Sequence, residues 1–165
     1  MKLNKRSEYL IAHHNLIRHI EGGYYSRTYE NKRTIKVDQS IRPLSTGIIY
    51  LLDGNDTSSF HRLKSDELWC FHEGSELILH MFIENEGYSY IELGPSCTNT
   101  QPQCLIPGGT IFGAELKDKS SYTFVSCFVS PGFDFEDYML FSSDQLIKMY
   151  PDYDTLIERI NQHES

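Results

Sequence analysis

Positive charge is scarce in this chain. Fifteen Lys and Arg stand against 23 Asp and Glu, a formal net charge of -8 over 165 residues. Nucleic-acid binding draws most of its affinity from a basic surface, so no nucleic-acid partner is expected. An anionic membrane surface is unsuited for the same reason. No run of 18 apolar residues occurs, so no helical membrane span is expected. The basic start Met1-Lys2-Leu3-Asn4-Lys5-Arg6 leads into Ser7-Glu8-Tyr9 instead of an apolar signal core, and the expected location is cytoplasmic. The four cysteines, Cys70, Cys97, Cys104 and Cys127, form no C-x-x-C pair and no zinc spacing, which reads as free thiols in a reducing compartment. Asn55-Asp56-Thr57 is a formal glycosylation sequon that means nothing without secretion. There is no Ser-His-Asp order, phosphate loop or G-x-G-x-x-G, and no repeat, low-complexity tract or linker.

What is abundant is aromatic. Eleven Tyr and nine Phe favour strands over helices. The length suits one domain with a real core, taken here as residues 1–165, with a barrel core over about 22–141 and terminal helices over about 5–20 and 143–161. The first helix mixes Leu10, Ile11, His14, Ile17 and Arg18 at helical spacing and is ended by Glu21-Gly22-Gly23. Tyr24 to Tyr29 reads as a strand, with Tyr25, Arg27 and Tyr29 on one face and Tyr24, Ser26 and Thr28 on the other. Residues 30–43 are polar and read as loop. Strands are expected over 45–52, 58–64, 67–72, 77–83, 88–93, 103–106, 111–116, 122–130 and 138–141, with a hairpin turn at Asn85-Glu86-Gly87. Ser142-Ser143-Asp144 reads as a cap before a helix from Gln145 to Tyr150, and Pro151-Asp152 opens a last short helix. Many short strands at regular spacing argue for an all-β sandwich or barrel.

One stretch carries most of the functional information. In Phe60 to Gly74, His61 is followed six residues later by Glu67 and seven after that by Gly74; Ile106-Pro107-Gly108-Gly109-Thr110-Ile111-Phe112 comes about thirty residues on. The first run resembles the cupin motif His-x-His, a few residues, Glu, six residues, Gly. The second resembles Pro-x-Gly-x-x-His. Leu63 and Phe112 stand where the second and last histidines would be. The likeness narrows with Glu21-Gly22-Gly23-Tyr24-Tyr25-Ser26-Arg27-Thr28-Tyr29, His61 to Trp69, and Pro131-Gly132-Phe133-Asp134-Phe135-Glu136-Asp137-Tyr138. Three long motifs in this order are similar to the "cupin 5" family, from about residue 5 to 160. Ile20 departs from the proline often found before Glu-Gly-Gly. The resemblance implies a double-stranded β-helix, a jelly-roll barrel with short N- and C-terminal helices, a small-molecule ligand in the barrel, and a homodimer. The Tyr24-Tyr25 and Tyr29 strand is a candidate dimer interface, since open sheet edges invite pairing.

Alternation along strands then suggests the lining of the cavity. If His61 points inward, so does Leu63; if Glu67 points inward, so do Trp69 and Phe71, while His72 points away. One imidazole, one carboxylate and an aromatic wall make a usual form of small-molecule site. The bland alternative is a satisfied polar pair in a filled barrel. Arg27, Tyr29, Tyr50, Leu63, Trp69, Phe71 and Phe112 are the candidate ligand-binding residues. Arg27 suits an anionic group of a ligand or an exposed salt bridge. His61 and Glu67 are the candidate catalytic pair, because an imidazole titrates near neutrality and a buried carboxyl can be raised toward it. By analogy with cupin-fold epimerases, a metal-independent isomerase or epimerase acting on a sugar-like or keto substrate is the leading reading. A non-catalytic binding protein is the alternative, and a metal-dependent enzyme the second alternative. A divalent metal needs about three protein ligands, and the motifs supply only His61 and Glu67. Tyr50, His72 and His80 are the other donors, none at a motif position. No cofactor is expected.

Other features read blandly. His13, His14 and His19 are poorly spaced for a metal and are expected in solvent. Phe133 to Glu136 alternates as a half-buried edge whose acids could cap a cavity mouth. Cys70 reads as a packed thiol.

Overall fold

The structure is a computed structural model, and it describes residues 3–97 and 99–162. Thirteen strands and three short α-helices follow one another along these residues. Two antiparallel sheets dominate. The first runs β1 (Ile17–Arg18), β2 (Tyr24–Glu30), β5 (Thr46–Asp53), β12 (Tyr122–Ser130), β7 (Asp66–Gly74) and β10 (Gln103–Ile106). The second runs β13 (Tyr138–Leu140), β6 (Thr57–Leu63), β11 (Ile111–Leu116), β8 (Leu77–Ile83) and β9 (Gly87–Leu93). The all-β fold expected from the strand spacing forms, and its two sheets have the jelly-roll arrangement that the resemblance implies.

The inner faces meet in one core. Tyr50, Leu52, Trp69, Ile106, Val125 and Cys127 from the first sheet pack against Leu77, Leu79, Met81, Leu93, Phe112 and Leu116 from the second. The outer faces are covered unequally. Behind the second sheet, Phe60, Phe82 and Ile111 are sealed by Phe141 and by Leu146, Ile157 and Ile160 of the C-terminal helices α2 (Ser143–Met149) and α3 (Asp154–Ile160). Behind the first sheet, α1 (Lys5–His14) supplies Leu10, which packs with Leu16, Leu51 and Phe124 at one end. The other end stays open. There the register aligns Tyr29, Gly47, Phe128, Leu68 and Leu105 across five strands, and Tyr29, Phe128 and Leu105 are exposed.

Several expectations need adjustment. The first helix stops at His14, not Ile20: Asn15 adopts a left-handed conformation (φ 52°) that caps it, and the freed chain enters β1. The segment read as loop contains a hairpin, β3 (Thr34–Val37) with β4 (Ser40–Pro43), turning at Asp38 with φ 52°. Thr-Ile-Lys-Val and Ser-Ile-Arg-Pro do alternate, but Ile35 and Ile41 are exposed while Arg42 is buried, so polarity does not mark the hairpin's two faces. The cap at Ser142 is a full capping box with Gln145. A short 3-10 turn, Pro151–Tyr153, precedes α3.

Candidate functional site

A cavity of about 410 Å³ opens between the sheets. Register fixes its first wall. One inward row runs Arg27, Ile48, Cys127, Trp69, and the next runs Thr46, Val129, Glu67. Tyr25 and Tyr50 lie on the other side of the first row and also line the space. The facing sheet contributes His61 and Leu63, and the mouth is framed by Asn15, Ile17, His19, Phe133 and Phe135.

The expected site residues divide accordingly. His61, Glu67, Arg27, Tyr50, Leu63 and Trp69 share the cavity wall. Tyr29 does not. A register shift between Arg27 and Tyr29 inserts one residue, so Tyr29 pairs with Gly47 and turns to the outer face. Phe71 lies in the row of Tyr50 and Val125, packed against the core, outside the cavity lining. Phe112 is buried behind the floor, its ring 4.2 Å from that of His61 and edge-on to Trp69 at 6.2 Å. It packs the wall instead of facing the space.

Three residues are moved inward by features that strict alternation does not reveal. Opposite Gly113, β6 carries a bulge at Ser59-Phe60. As a result Ser58 and His61, three residues apart, both serve the interior: Ser58 Oγ donates to Glu21 Oε2 at 2.9 Å, and His61 lines the cavity. The Ser59 N–H donates to the Glu21 carbonyl, which seats Glu21 beside this bulge. Gly22 and Gly23, both at positive φ, make the turn possible. A side chain on Gly23 would stand 2.6 Å from the Leu51 carbonyl oxygen. Glu21 and His19 therefore belong to the cavity, not to a helix end, and the solvent exposure expected of His19 is corrected: it stacks edge-on against Tyr25 at 4.5 Å. The Gly-Gly pair and a glycine inside a strand were the available signals.

The buried charges are arranged unusually. His61 Nδ1 lies 2.8 Å from the Ser59 carbonyl oxygen and 3.5 Å from Glu21 Oε2. A carbonyl only accepts, so Nδ1 carries the hydrogen and Nε2 keeps its lone pair. Burial drives the imidazole down to about 4. Burial drives the Glu67 carboxyl up to about 8, and the nearby Glu21 charge adds to the rise. Near neutral pH the base is therefore uncharged and the acid mostly protonated. Burial also raises Glu21, partly offset by His19 and by the Ser58 hydrogen bond, and lowers His19. Glu67 Oε2, Trp69 Nε1 and the Tyr138 hydroxyl are buried with no hydrogen-bond partner. Burial raises the Tyr138 phenol, and the nearby Glu21 carboxylate adds to the rise, although the hydroxyl stays short of a well-formed hydrogen bond.

At the mouth, the acids of the Phe133 to Glu136 segment do not cap the cavity. Asp134, Glu136 and Asp137 turn to the buried Arg42 of β4, with Asp137 at 2.6 Å and Glu136 at 2.8 Å, and it is the phenyl rings that face the space. Arg27 donates to Glu30 through Nη1 at 2.9 Å and lies 5.8 Å from the Phe133 ring.

Among the described residues no three His, Cys, Asp or Glu side chains are grouped to hold a metal ion. Leu63 and Phe112 offer no donor, Tyr50 donates to the Gly22 carbonyl, His72 bonds Ser126, and His80 bonds Glu115 and Tyr88 on the far side of the second sheet.

Facing jelly-roll sheets around a cavity of this kind define a cupin. The chain belongs to the cupin superfamily family of domain DUF985, whose model matches residues 8–141. It is similar to a protein from Shewanella oneidensis (33% identical, 98% of each chain covered, TM-score 0.87) and to a hypothetical protein from Leishmania major (31% identical, 93% of this chain and 97% of that one, TM-score 0.85). An uncharacterized protein of Saccharomyces cerevisiae is 25% identical over 154 residues, covering 84% of this chain and 77% of its own. Among the described residues no helix is long and apolar enough to cross a membrane.

Proposed function

We propose that this cupin binds a small molecule in the barrel and performs metal-independent acid–base chemistry on it, of the isomerase or epimerase kind, on a sugar-like or keto substrate. The observation that carries this reading is the pairing of a neutral imidazole with a protonated carboxyl in one cavity, beside polar atoms that have no partner. His61 Nε2 would take a proton from the carbon next to a carbonyl while Glu67 gives its proton to the carbonyl oxygen. The intermediate is an enol, and both groups become charged with opposite sign, which each stabilises in the other. Returning the proton to the other face gives an epimer; returning it to the neighbouring carbon gives an isomer. Buried polar atoms are costly unless satisfied, so the bare Glu67 Oε2 and Trp69 Nε1 favour a ligand with oxygen at this end.

The test is solvent exchange. Small ketoses and oxo acids incubated with the protein in D2O are expected to lose the signal of the exchangeable carbon-bound proton. His61→Ala and Glu67→Gln are each expected to slow that loss at least about a hundredfold, and dialysis against EDTA is expected to leave it unchanged. Tight retention of a compound with no exchange would instead make the protein a binder. Loss of exchange after EDTA would overturn the metal-independent reading.

We also infer that the chain pairs with a second copy. The support is the exposed row of Tyr29, Phe128 and Leu105 with half-buried Leu68 on the first sheet, since exposed apolar patches commonly mark interfaces.

A further inference from the structure

We propose that the cavity takes a small anionic ligand, an oxo or hydroxy acid, whose charged end sits at Arg27 and whose oxygenated end reaches Trp69 and Glu67. This deepens the reading above and rests on it.

The cavity is chemically polarised along one row. Arg27, Ile48, Cys127 and Trp69 stand on four adjacent strands in direct register. Three ordinary strand spacings put the ends of the row roughly 14 Å apart at Cα. At one end is a permanent cation; at the other are the buried Trp69 Nε1, which can only donate, and Glu67 Oε2, which lie near each other without closing a well-formed hydrogen bond. Between them the row is apolar or nearly so, with Ile48, Cys127, Val129 and the facing Leu63, while His61 and Glu21 stand beside it. A neutral polyol would leave the middle of this wall unmatched. A wholly apolar molecule would strand the polar end. A short carbon chain with an anion at one terminus and a carbonyl or hydroxyl toward the other satisfies every part.

Arg27 is prepared for that role. Its side chain is 39% exposed, lines the mouth, and holds Glu30 by Nη1. A guanidinium has five N–H donors in a planar fork, so one donor committed to Glu30 leaves the remainder for a carboxylate or phosphate. Phe133 flanks it and lowers water access on that side. His19 also lines the cavity; its Nδ1 accepts from the Glu21 N–H, which leaves the hydrogen of the neutral ring on Nε2.

The experiment uses the full chain and a defined panel: 4-oxopentanoate, 5-oxohexanoate and 6-oxoheptanoate, each beside its methyl ester. The single tryptophan of the chain, Trp69, lines the cavity and reports binding by fluorescence; calorimetry gives the constants. At least one acid is expected to bind about tenfold more tightly than its ester, as removal of one charge-assisted contact implies. Arg27→Gln is expected to erase that preference while leaving ester binding in place. Glu30→Gln, an exposed change that frees the whole guanidinium, is expected to strengthen binding of the acid. Equal binding of acid and ester by the wild type and by Arg27→Gln would overturn the anionic end while leaving a small-molecule cavity intact. Failure of both acids and esters to bind at millimolar concentration would overturn the anionic ligand and count against the cavity reading too.

Discussion

At the scale of single residues, function and stability pull against each other at Glu67. Its folded-state pKa of about 8 lies above the ordinary carboxyl value. Between the unfolded and folded values the native state holds a proton that the unfolded chain has released. The stability contributed by the protonated form is complete below the unfolded value and is lost as pH rises through about 8. His61 has the reverse sign. Its folded value of about 4 lies below the unfolded one, so its contribution is lost as pH falls from the ordinary imidazole value toward 4. Above the imidazole range only Glu67 acts of the two. Glu67→Gln removes the ionisation and keeps the shape. Its stability relative to wild type is therefore expected to improve as pH rises from about 6.5 to about 8.5, by a few kcal/mol across the window, in urea unfolding at each pH. A constant difference would show that Glu67 titrates normally. Spacing singles out these two residues but leaves a site and a satisfied pair in a filled barrel equally open; the resemblance to cupins favours the site. That burial would set the pair to base-neutral and acid-protonated was not legible, because desolvation depends on what lies around them, including Glu21, which no spacing argument brings to His61.

At the scale of elements, the site depends on two departures from regular structure. Strand alternation correctly assigned His61 with Leu63 and Glu67 with Trp69. It failed at Tyr29, where a bulge changes the parity of the strand; it turned Phe71 inward as found, but could not tell the closed core from the cavity lining, and Phe112, placed by its motif position, packs behind the floor. Parity is a global property of a strand and a bulge is a local event. Sequence shows the first readily and shows the second only through a misplaced glycine such as Gly113. The Glu21-Gly22-Gly23 turn is the second departure. It reads as the stop of the first helix, which ends earlier at Asn15, and its delivery of Glu21 and His19 to the cavity needed the partner strand. Gly23→Ala tests the element directly. With φ at +66° and the Leu51 carbonyl in the way, the added methyl is expected to cost about 2–4 kcal/mol and to move Glu21. Chemical denaturation gives the cost. Trp69 fluorescence, through the Tyr50 contact at 5.8 Å, gives the local change. An unaffected protein would mean the turn is free to rearrange.

At the scale of the whole molecule, the architecture explains why the cavity survives. The C-terminal helices close the outer face of the second sheet, α1 closes part of the first, and the sheets themselves fill the remaining core. By its aromatic content the strand of Tyr24, Tyr25 and Tyr29 is a candidate subunit interface. The structure uses two of them within the chain. Tyr24 packs with the α1 cluster under Arg18, 4.0 Å from its ring, and Tyr25 lines the cavity. Only Tyr29 joins the exposed row with Phe128 and Leu105. If pairing uses this row, light scattering of the wild type is expected to give twice the 19.2 kDa chain mass, and Phe128→Asp is expected to give the chain mass with the fold retained. A wild-type monomer would remove the inference.

The central claim is that one cavity holds an uncharged imidazole and a protonated carboxyl near neutral pH. NMR titration tests it most directly. Long-range proton–nitrogen correlations of the imidazoles, with His61 assigned from His61→Ala, and carbon detection of the glutamate carboxyls, with Glu67 assigned from Glu67→Gln, report both groups at once. The account expects His61 as the Nδ1–H tautomer at pH 7, unchanged down to about pH 5, and a Glu67 midpoint near 8. A His61 midpoint in the ordinary imidazole range together with a Glu67 midpoint in the ordinary carboxyl range would contradict it.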